Sequence, residues 1–120
     1  MKILIADDNQ AVRRGVAGIL SRQRTLQICG EAANGTEALQ MARELHPDHI
    51  LLDMSMPGMN GMQVTRLLRE TLPEIKVLIM SHHDPAQILP SVLQAGAQGC
   101  IDKSRITADL IPAIETLGTS

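Results

Sequence analysis

Residues 50–61 read ILLDMSMPGMNG, and this stretch decides the fold class. The run Ile50–Leu52 is apolar at consecutive positions, which is typical of a strand covered on both faces. Asp53 ends the run, a loop follows, and a helical pattern begins near Gly61. A strand that leads into a helix is the repeating unit of α/β proteins, so we expect further copies along the chain.

Short apolar runs alternate with longer segments of helical period over the whole chain. The predicted strands are Ile3–Ala6, Leu26–Ala32, Ile50–Leu52, Val77–Met80 and Gly99–Ile101. The predicted helices cover about residues 10–22, 36–45, 61–71, 85–95 and 107–117. Strands joined by helices are usually parallel. We therefore expect an α/β fold of three layers with a doubly wound, five-stranded parallel sheet, whose strand order the residues alone leave open.

Two of the predicted helices contain an interior proline, Pro90 in the fourth and Pro112 in the fifth. Proline lacks an N–H donor and clashes with the preceding helical turn. We therefore expect each helix either to start late or to kink. A late start would place Pro112 within the first four helical positions, where no intrahelical hydrogen bond is lost.

Length and charge restrict the function classes. With 120 residues, 44% of them hydrophobic, the chain is expected to form one domain over residues 1–120 with a buried core. Residues 118–120 have the composition of a frayed end or of the start of a linker. The formal net charge of -2 gives no basic field for a nucleic-acid backbone, so we expect no direct nucleic-acid binding by this chain.

The cysteines and the apolar runs bear on location. Cys29 and Cys100 lie in apolar stretches without metal-ligand spacing, so we interpret both as small buried hydrophobic residues in a reducing compartment. No apolar run approaches the roughly 20 residues of a membrane span, and the opening residues 1–5 lead into acidic residues rather than into a signal-peptide core. We expect a cytoplasmic protein without membrane association.

Polar residues follow four of the five predicted strands, at the edge where parallel sheets bind ligands. They are Asp7, Asp8, Asp53, Ser81 and Lys103. Two carboxylates about 4 Å apart repel by roughly 4 kcal/mol at an effective dielectric near 20, so three together need a cation or raised pKa values. Mg²⁺ prefers oxygen ligands, which suits Asp8 and Asp53 as direct ligands and Asp7 through water.

The same residues suit phosphoryl transfer. A carboxylate such as Asp53 can attack phosphorus when cations neutralise the transferring group. Lys103 can pair with one phosphoryl oxygen, and the Ser81 hydroxyl can donate to another. Each residue alone has a structural alternative: Asp7 and Asp8 can cap the next helix, Asp53 can open a turn and Lys103 can be solvated.

Neighbouring charged residues are given structural interpretations. His82 and His83 are adjacent and lack a matching Cys or His pair, so a solvated loop is favoured over a zinc site. Arg13 and Arg14 are interpreted as a solvated helix face.

These motifs resemble the receiver domain of bacterial two-component response regulators, over the whole chain. The resemblance rests on Asp7-Asp8, the run DMSMPGMNG at 53–61, Ser81, and Gly96-Ala97-Gln98-Gly99 leading to Lys103. The chain is especially similar to receivers of the nitrate- and nitrogen-regulator subfamily with LuxR-type output. Such receivers usually precede a helix-turn-helix that binds DNA, and these 120 residues contain no such segment.

The resemblance implies a flavodoxin-like fold with strand order 2-1-3-4-5. It implies that a sensor histidine kinase phosphorylates Asp53, and that Mg²⁺ is held by Asp8, Asp53 and the Ser55 backbone carbonyl, with Asp7 assisting through water. It also implies Mg²⁺-dependent self-phosphorylation, slow autodephosphorylation, and no multiple turnover of small substrates. The Ser81 hydroxyl would move toward the phosphoryl group and reshape the surface of the fourth helix, fifth strand and fifth helix. That surface would serve a homodimer or control transcription through a DNA-binding domain absent from this chain.

Two departures from the family pattern keep alternatives open. Receivers usually have Tyr or Phe where this chain has Cys100, and many have a cis-proline where it has Ser104, so we expect a trans peptide there. Cys100 and Pro90 motivate a second hypothesis, a non-switching receiver used as a protein-interaction module. A third, a phosphohydrolase of small substrates, is disfavoured because Ser55 stands where its general acid would be.

Overall fold

Five strands alternate with five helices in the computed structural model, which describes the backbone of residues 1–119 and the side chains of residues 1–117. The strands are β1 Lys2–Ala6, β2 Gln27–Ala32, β3 His49–Asp53, β4 Lys76–Ser81 and β5 Gly99–Asp102. The helices are α1 Gln10–Leu20, α2 Gly35–Leu45, α3 Gly61–Thr71, α4 Pro85–Ala95 and α5 Ile106–Thr119, with a 3₁₀ turn at Lys103–Arg105. The predicted bounds differ from these by no more than two residues. The linker start predicted at 118–120 reaches outside the described residues and stays a prediction.

All strand pairs are parallel, and the order in the sheet is β2-β1-β3-β4-β5. The expected doubly wound, flavodoxin-like α/β fold is confirmed. The chain direction across the sheet reverses between β1 and β3, which is where such folds open a crevice for ligands. Ala6 pairs with Leu52, so the residues that follow them, Asp7 and Asp53, come side by side at that crevice.

Both faces of the sheet are covered, which explains the consecutive apolar residues in its strands. Side chains alternate between the two faces of a strand. On β3, Ile50 and Leu52 pack with α2, α3 and α4, whereas Leu51 packs with α1 and α5. The two cores are built from aliphatic residues, alanine and methionine, and the three expected layers are present.

Both helices with an interior proline run through it. α4 begins at Pro85 and α5 at Ile106, so neither helix starts late, and Pro112 occupies the seventh position of its helix; the alternative of a kink stays a prediction. Pro90 and Pro112 are both exposed, as are the residues four positions earlier, Ala86 and Ala108. The carbonyls that lose a donor therefore lie on solvent-facing turns, where water can replace the missing bond.

Two other expectations concern the backbone. None of the peptide bonds of the described residues is cis, so the bond before Ser104 is trans as predicted. Within residues 1–119, no helix combines the length and apolar character that a membrane span requires.

Candidate functional site

Three carboxylates meet at the carboxyl ends of β1 and β3. Asp7, Asp8 and Asp53 each place a carboxylate oxygen within 4.8 Å of the others. Asp7 is fully buried and Asp53 is 3% exposed, whereas Asp8 is exposed at the mouth of a cleft of about 280 Å³. At 4.8 Å and an effective dielectric of 20, each pair of charges repels by roughly 3.5 kcal/mol. The sheet edge therefore needs compensating positive charge.

Lys103 supplies part of that charge. It lies in the 3₁₀ turn after β5, and its Nζ lies 2.7 Å from Asp7 Oδ2 and 3.0 Å from Asp53 Oδ1. Asp7 Oδ2 accepts no well-directed hydrogen bond, so that contact is an ion pair. Burial lowers the pKa of Lys103, but the Asp7 and Asp53 carboxylates outweigh burial and raise that pKa above its usual value. Lys103 is not solvated, which removes its structural alternative.

Asp53 is held at the end of β3 by contacts to one of its oxygens. Besides Lys103, the Ser55 backbone N–H donates to Asp53 Oδ1 at 3.2 Å. Burial raises the pKa of Asp53, with a smaller increase from Asp7, against the lowering effect of Lys103 and the Ser55 amide. The ionised carboxylate is therefore stabilised only in part by the protein, and further positive charge would favour it.

The loop from β1 to α1 is ordered around the acid pair. The Asn9 backbone N–H donates to Asp7 Oδ1 at 2.9 Å. The Asn9 side-chain oxygen accepts from the amides of Ala11 and Val12 at 2.8 and 3.3 Å, so Asn9 is the cap of α1. Asn9, and not Asp7 or Asp8, therefore caps this helix, so that structural alternative is wrong. The Asp8 carboxylate lines the cleft.

Ser81 ends β4 on the other side of the cleft. It is 2% exposed and lines the cleft together with Asp53 and Lys103. Its Oγ accepts the His83 backbone N–H at 2.9 Å, which leaves the hydroxyl hydrogen to donate. His82 and His83 are exposed, as the solvated-loop interpretation expects, although both line the rim of the cleft.

The donor set fits a hard divalent cation. Counted as three carboxylates and one ammonium, the cleft has a net formal charge of -2. Carboxylate oxygens are the ligands that Mg²⁺ prefers, and Mg²⁺ usually keeps several waters beside one or two protein carboxylates. Both Asp7 oxygens are engaged by Asn9 and Lys103, whereas the exposed Asp8 is open to the cleft. The residues present can therefore hold such an ion.

Comparison with known families decides the identity of the domain. Residues 3–115 match the family described as response regulator receiver domain. The chain belongs to this family. The receivers of this family generally bind Mg²⁺ at an acidic pocket, and the acid cluster of this receiver corresponds to such a pocket.

The relatives of this receiver are regulators of the predicted group. Oxygen regulatory protein NreC of Staphylococcus epidermidis is 41% identical over 118 residues, which is 98% of this chain and 54% of NreC. Response regulator GacA of Pseudomonas syringae pv. syringae is 38% identical over 114 residues, which is 95% of this chain and 53% of GacA. The receiver thus spans about half the length of the curated relatives it matches.

Solved structures agree. A LuxR-family two-component response regulator from Aurantimonas sp. has a TM-score of 0.91 and 32% identity, with coverage of 97% of this receiver and 83% of that chain. The signal receiver domain of the putative response regulator NarL from Mycobacterium tuberculosis has a TM-score of 0.81 and 32% identity, with coverage of 95% of each chain. The predicted resemblance to two-component receivers of the nitrate-regulator, LuxR-type group is confirmed.

The interpretation of Arg13 as solvated is wrong. The side chain of Arg13 is 15% exposed, its Nη1 donates to the Asp7 backbone carbonyl at 2.6 Å, and its Nε lies 3.3 Å from Glu31 Oε1. Arg14 is exposed, as predicted. Helical periodicity does not separate two adjacent arginines at the edge of a buried face, because the partners of Arg13 come from the residue after β1 and from β2.

Gly61 is a further site residue whose role the sequence analysis missed. It begins α3, and a Cβ atom at this position would lie 2.3 Å from the Asp53 carbonyl oxygen. A side chain there would push the backbone that carries Asp53. The Asn60-Gly61 pair gave a usable signal, because Asn60 is the cap of α3 and glycine directly after a cap indicates a close approach.

Proposed function

We propose that this receiver accepts a phosphoryl group on Asp53 from a phosphorylated histidine of a sensor kinase, with Mg²⁺ bound in the cleft. The observation that carries the proposal is the position of Lys103, whose ammonium bridges Asp53 and Asp7 at 3.0 and 2.7 Å beside the exposed Asp8. A nucleophilic carboxylate, a fixed cation and open oxygen ligands are the parts that phosphoryl transfer to an aspartate requires.

The transfer uses the two oxygens of Asp53 differently. Oδ1 is engaged by Lys103 and the Ser55 amide, which leaves Oδ2 to form the bond to phosphorus. As that bond forms, the bond between phosphorus and the donor imidazole nitrogen breaks, and its electron pair stays on the nitrogen. Lys103 and the Ser81 hydroxyl then pair with oxygens of the transferred group.

The predicted ligands of Mg²⁺ are Asp8, Asp53 and the Ser55 backbone carbonyl, with Asp7 acting through water. When bound, the ion supplies positive charge that stabilises the phosphoryl oxygens. The engagement of both Asp7 oxygens by protein groups supports the indirect role of this residue. Water in the same cleft would hydrolyse the aspartyl phosphate slowly, so we expect autodephosphorylation but no multiple turnover of small substrates.

An apolar groove next to the cleft supports a protein as phosphodonor. The groove has a volume of about 420 Å³ between α1 and the start of α5, and it shares Val12, His82 and Lys103 with the cleft. Because the groove adjoins the cleft, a protein bound in the groove can place a phosphorylated side chain next to Asp53. We assign this groove to the sensor kinase, and we place the encounter in the cytoplasm, away from membrane and without nucleic acid.

The output surface proposed for this receiver comprises α4, β5 and α5. α4 contains no charged residue, and Leu89 and Leu93, four positions apart, are 37% and 48% exposed. This face suits a homodimer formed by the phosphorylated domain. Because transcriptional regulatory protein LnrK of Bacillus subtilis is 35% identical to this receiver, we propose transcription control through a DNA-binding domain that lies outside these 120 residues.

A non-switching interaction module is the second candidate, and Cys100 favours it. The Cys100 thiol is half-buried, and its Sγ lies 3.7 Å from the Pro85 carbonyl at the start of α4. Burial raises the pKa of this thiol, so it remains a neutral packing group. A small packed side chain offers less movement than an aromatic ring for transmitting a change at Ser81 to α4.

Intact-protein mass spectrometry tests the main proposal. Incubation with acetyl phosphate and Mg²⁺ should add one phosphoryl group, and neither Asp53→Asn nor EDTA treatment should allow the gain. Analytical ultracentrifugation with beryllofluoride, a mimic of the bound phosphoryl group, separates the two candidates. Dimerisation on addition supports the switching receiver, whereas an unchanged monomer that still binds beryllofluoride supports the interaction module.

A further inference from the structure

Arg13 connects three elements beneath the acid cluster without contacting its carboxylates. The guanidinium belongs to α1, donates through Nη1 to the Asp7 carbonyl at the end of β1, and pairs through Nε with Glu31 of the edge strand β2. One guanidinium therefore makes both a hydrogen bond to a backbone carbonyl and an ion pair with a carboxylate. The planar, multiply donating guanidinium of arginine can make both contacts at once, whereas a solvated side chain would make neither. The side chain is 15% exposed, whereas that of Glu31 is 43% exposed.

These contacts fix the backbone on both sides of Asp8. On one side, the Asp7 amide donates to the Ala32 carbonyl at 3.0 Å, and the Asp7 carbonyl accepts from Arg13. On the other side, the Asn9 amide donates to Asp7 Oδ1, and the Asn9 carbonyl accepts the Arg13 amide at 3.1 Å. Asp8 is exposed, and no hydrogen bond or ion pair of the described residues involves its carboxylate. Among the described residues, the contacts that restrain the position of this carboxylate are therefore those of the flanking backbone.

We propose that Arg13 is a positioning residue for the divalent-cation site. By holding the Asp7 carbonyl, it keeps the β1–α1 loop in the conformation that presents Asp8 to Asp53. The inference rests on the proposed function, because it assigns Arg13 to the Mg²⁺ site of that function. Outer partners of metal ligands act in this way when they orient a ligand rather than bind the metal.

The direction of the change in Mg²⁺ affinity distinguishes a positioning role of Arg13 from a purely electrostatic one. Removal of a positive side chain near a cation site strengthens cation binding if only electrostatics acts. Arg13→Gln and Arg14→Gln remove the same charge from adjacent residues, but only the first removes the contact to Asp7. Positioning therefore predicts that Arg13→Gln weakens Mg²⁺ binding although the variant loses a positive charge near the cleft.

The test uses NMR, because the chain has no Trp or Tyr to report binding by fluorescence. The first readout is hydrogen exchange of the Asn9 amide in metal-free protein, and the second is the Mg²⁺ Kd from the shifts of the loop amides. For Arg13→Gln we expect faster Asn9 exchange and a Kd raised roughly tenfold, the lower end of the range for outer partners of metal ligands. For Arg14→Gln we expect unchanged exchange and a Kd that is equal or lower.

Arg13→Lys serves as the conservative variant and as a substitute if Arg13→Gln does not fold. It keeps the charge but loses the fork, so we expect an intermediate Kd. If the wild type binds Mg²⁺ and Arg13→Gln shows unchanged Asn9 exchange, or an unchanged or lower Kd, the positioning role of Arg13 is overturned. The proposed function then still stands. A wild type that binds no Mg²⁺ overturns the proposed function, and the positioning role falls with it.

Discussion

Lys103→Met should strongly destabilise the metal-free protein at neutral pH. The ammonium lies 2.7 Å from the fully buried Asp7 and 3.0 Å from Asp53, whose side chain is 5% exposed. At an effective dielectric of 20, these contacts attract by roughly 6 and 5.5 kcal/mol, much of which offsets the dehydration of the three groups. Removal of one partner from a buried ion pair costs about 3–5 kcal/mol, and we expect a loss of that size in the free energy of unfolding.

Urea unfolding in EDTA at pH 7 measures this loss. Arg105→Met is the matched control, because Arg105 pairs with Asp109 in the same segment but is 65% exposed. An exposed pair of this kind contributes about 0–1 kcal/mol. A cost for Lys103→Met no larger than that for Arg105→Met would refute the reasoning.

The loss in Lys103→Met should shrink on acidification and on addition of Mg²⁺. Burial already raises the pKa of Asp53, and without Lys103 the folded-state pKa rises further. As pH falls through that raised value, the folded variant binds a proton that the unfolded chain does not yet bind, so stability is regained above the usual Asp range. The variant cleft carries one more net negative charge, so Mg²⁺ should stabilise the variant more than the wild type.

Three further predictions concern neighbouring features. Gly61→Ala should lower the free energy of unfolding by about 1–3 kcal/mol, because the new Cβ would meet the Asp53 carbonyl. Gly15→Ala, which has open space in α1, should raise it by up to about 1 kcal/mol. Equal shifts in the thermal melting temperature of the two variants would contradict the steric argument. Burial, aided by Lys76, lowers the pKa of His49 below its usual 6.5, so the free energy of unfolding of the wild type should fall as pH falls from 6.5 to 5.5, by at most about 1 kcal/mol. His49→Leu should lack that loss in urea titrations, and identical pH dependence in both proteins would count against it. Asp8→Asn should abolish Mg²⁺ binding by calorimetry while stabilising the metal-free protein, and a variant with wild-type affinity would exclude Asp8 as a ligand.

Much of the fold follows from local patterns. Consecutive apolar residues such as Ile50–Leu52 indicated doubly covered strands, and the polar residues after four of the five strands indicated a common edge. Asp7, Asp8, Asp53, Ser81 and Lys103 do line one cleft. These predictions succeed because all strands of a parallel sheet end at the same edge. The position of a strand end is therefore known without knowing which strands are neighbours.

Features that depend on contacts between distant segments were harder to predict from the sequence. The residues alone left the strand order open, because pairing depends on contacts between distant segments, and only the resemblance implied it. The role of Arg13 depends on the Asp7 carbonyl just after β1 and on a carboxylate of β2, neither of which appears in the pattern of α1. Pro90 and Pro112 remain helical because their solvent-facing positions reduce the cost that an interior proline would carry in a buried turn.

Mapping the phosphorylated residue tests the central claim most directly. Borohydride reduces an aspartyl phosphate to homoserine, which tandem mass spectrometry locates after digestion. Following incubation with acetyl phosphate and Mg²⁺, we expect homoserine at position 53 and none at the neighbouring acids Asp7 and Asp8, with no label in EDTA. Homoserine at position 8, or none anywhere after confirmed Mg²⁺ binding, would contradict the assignment of Asp53 as the acceptor.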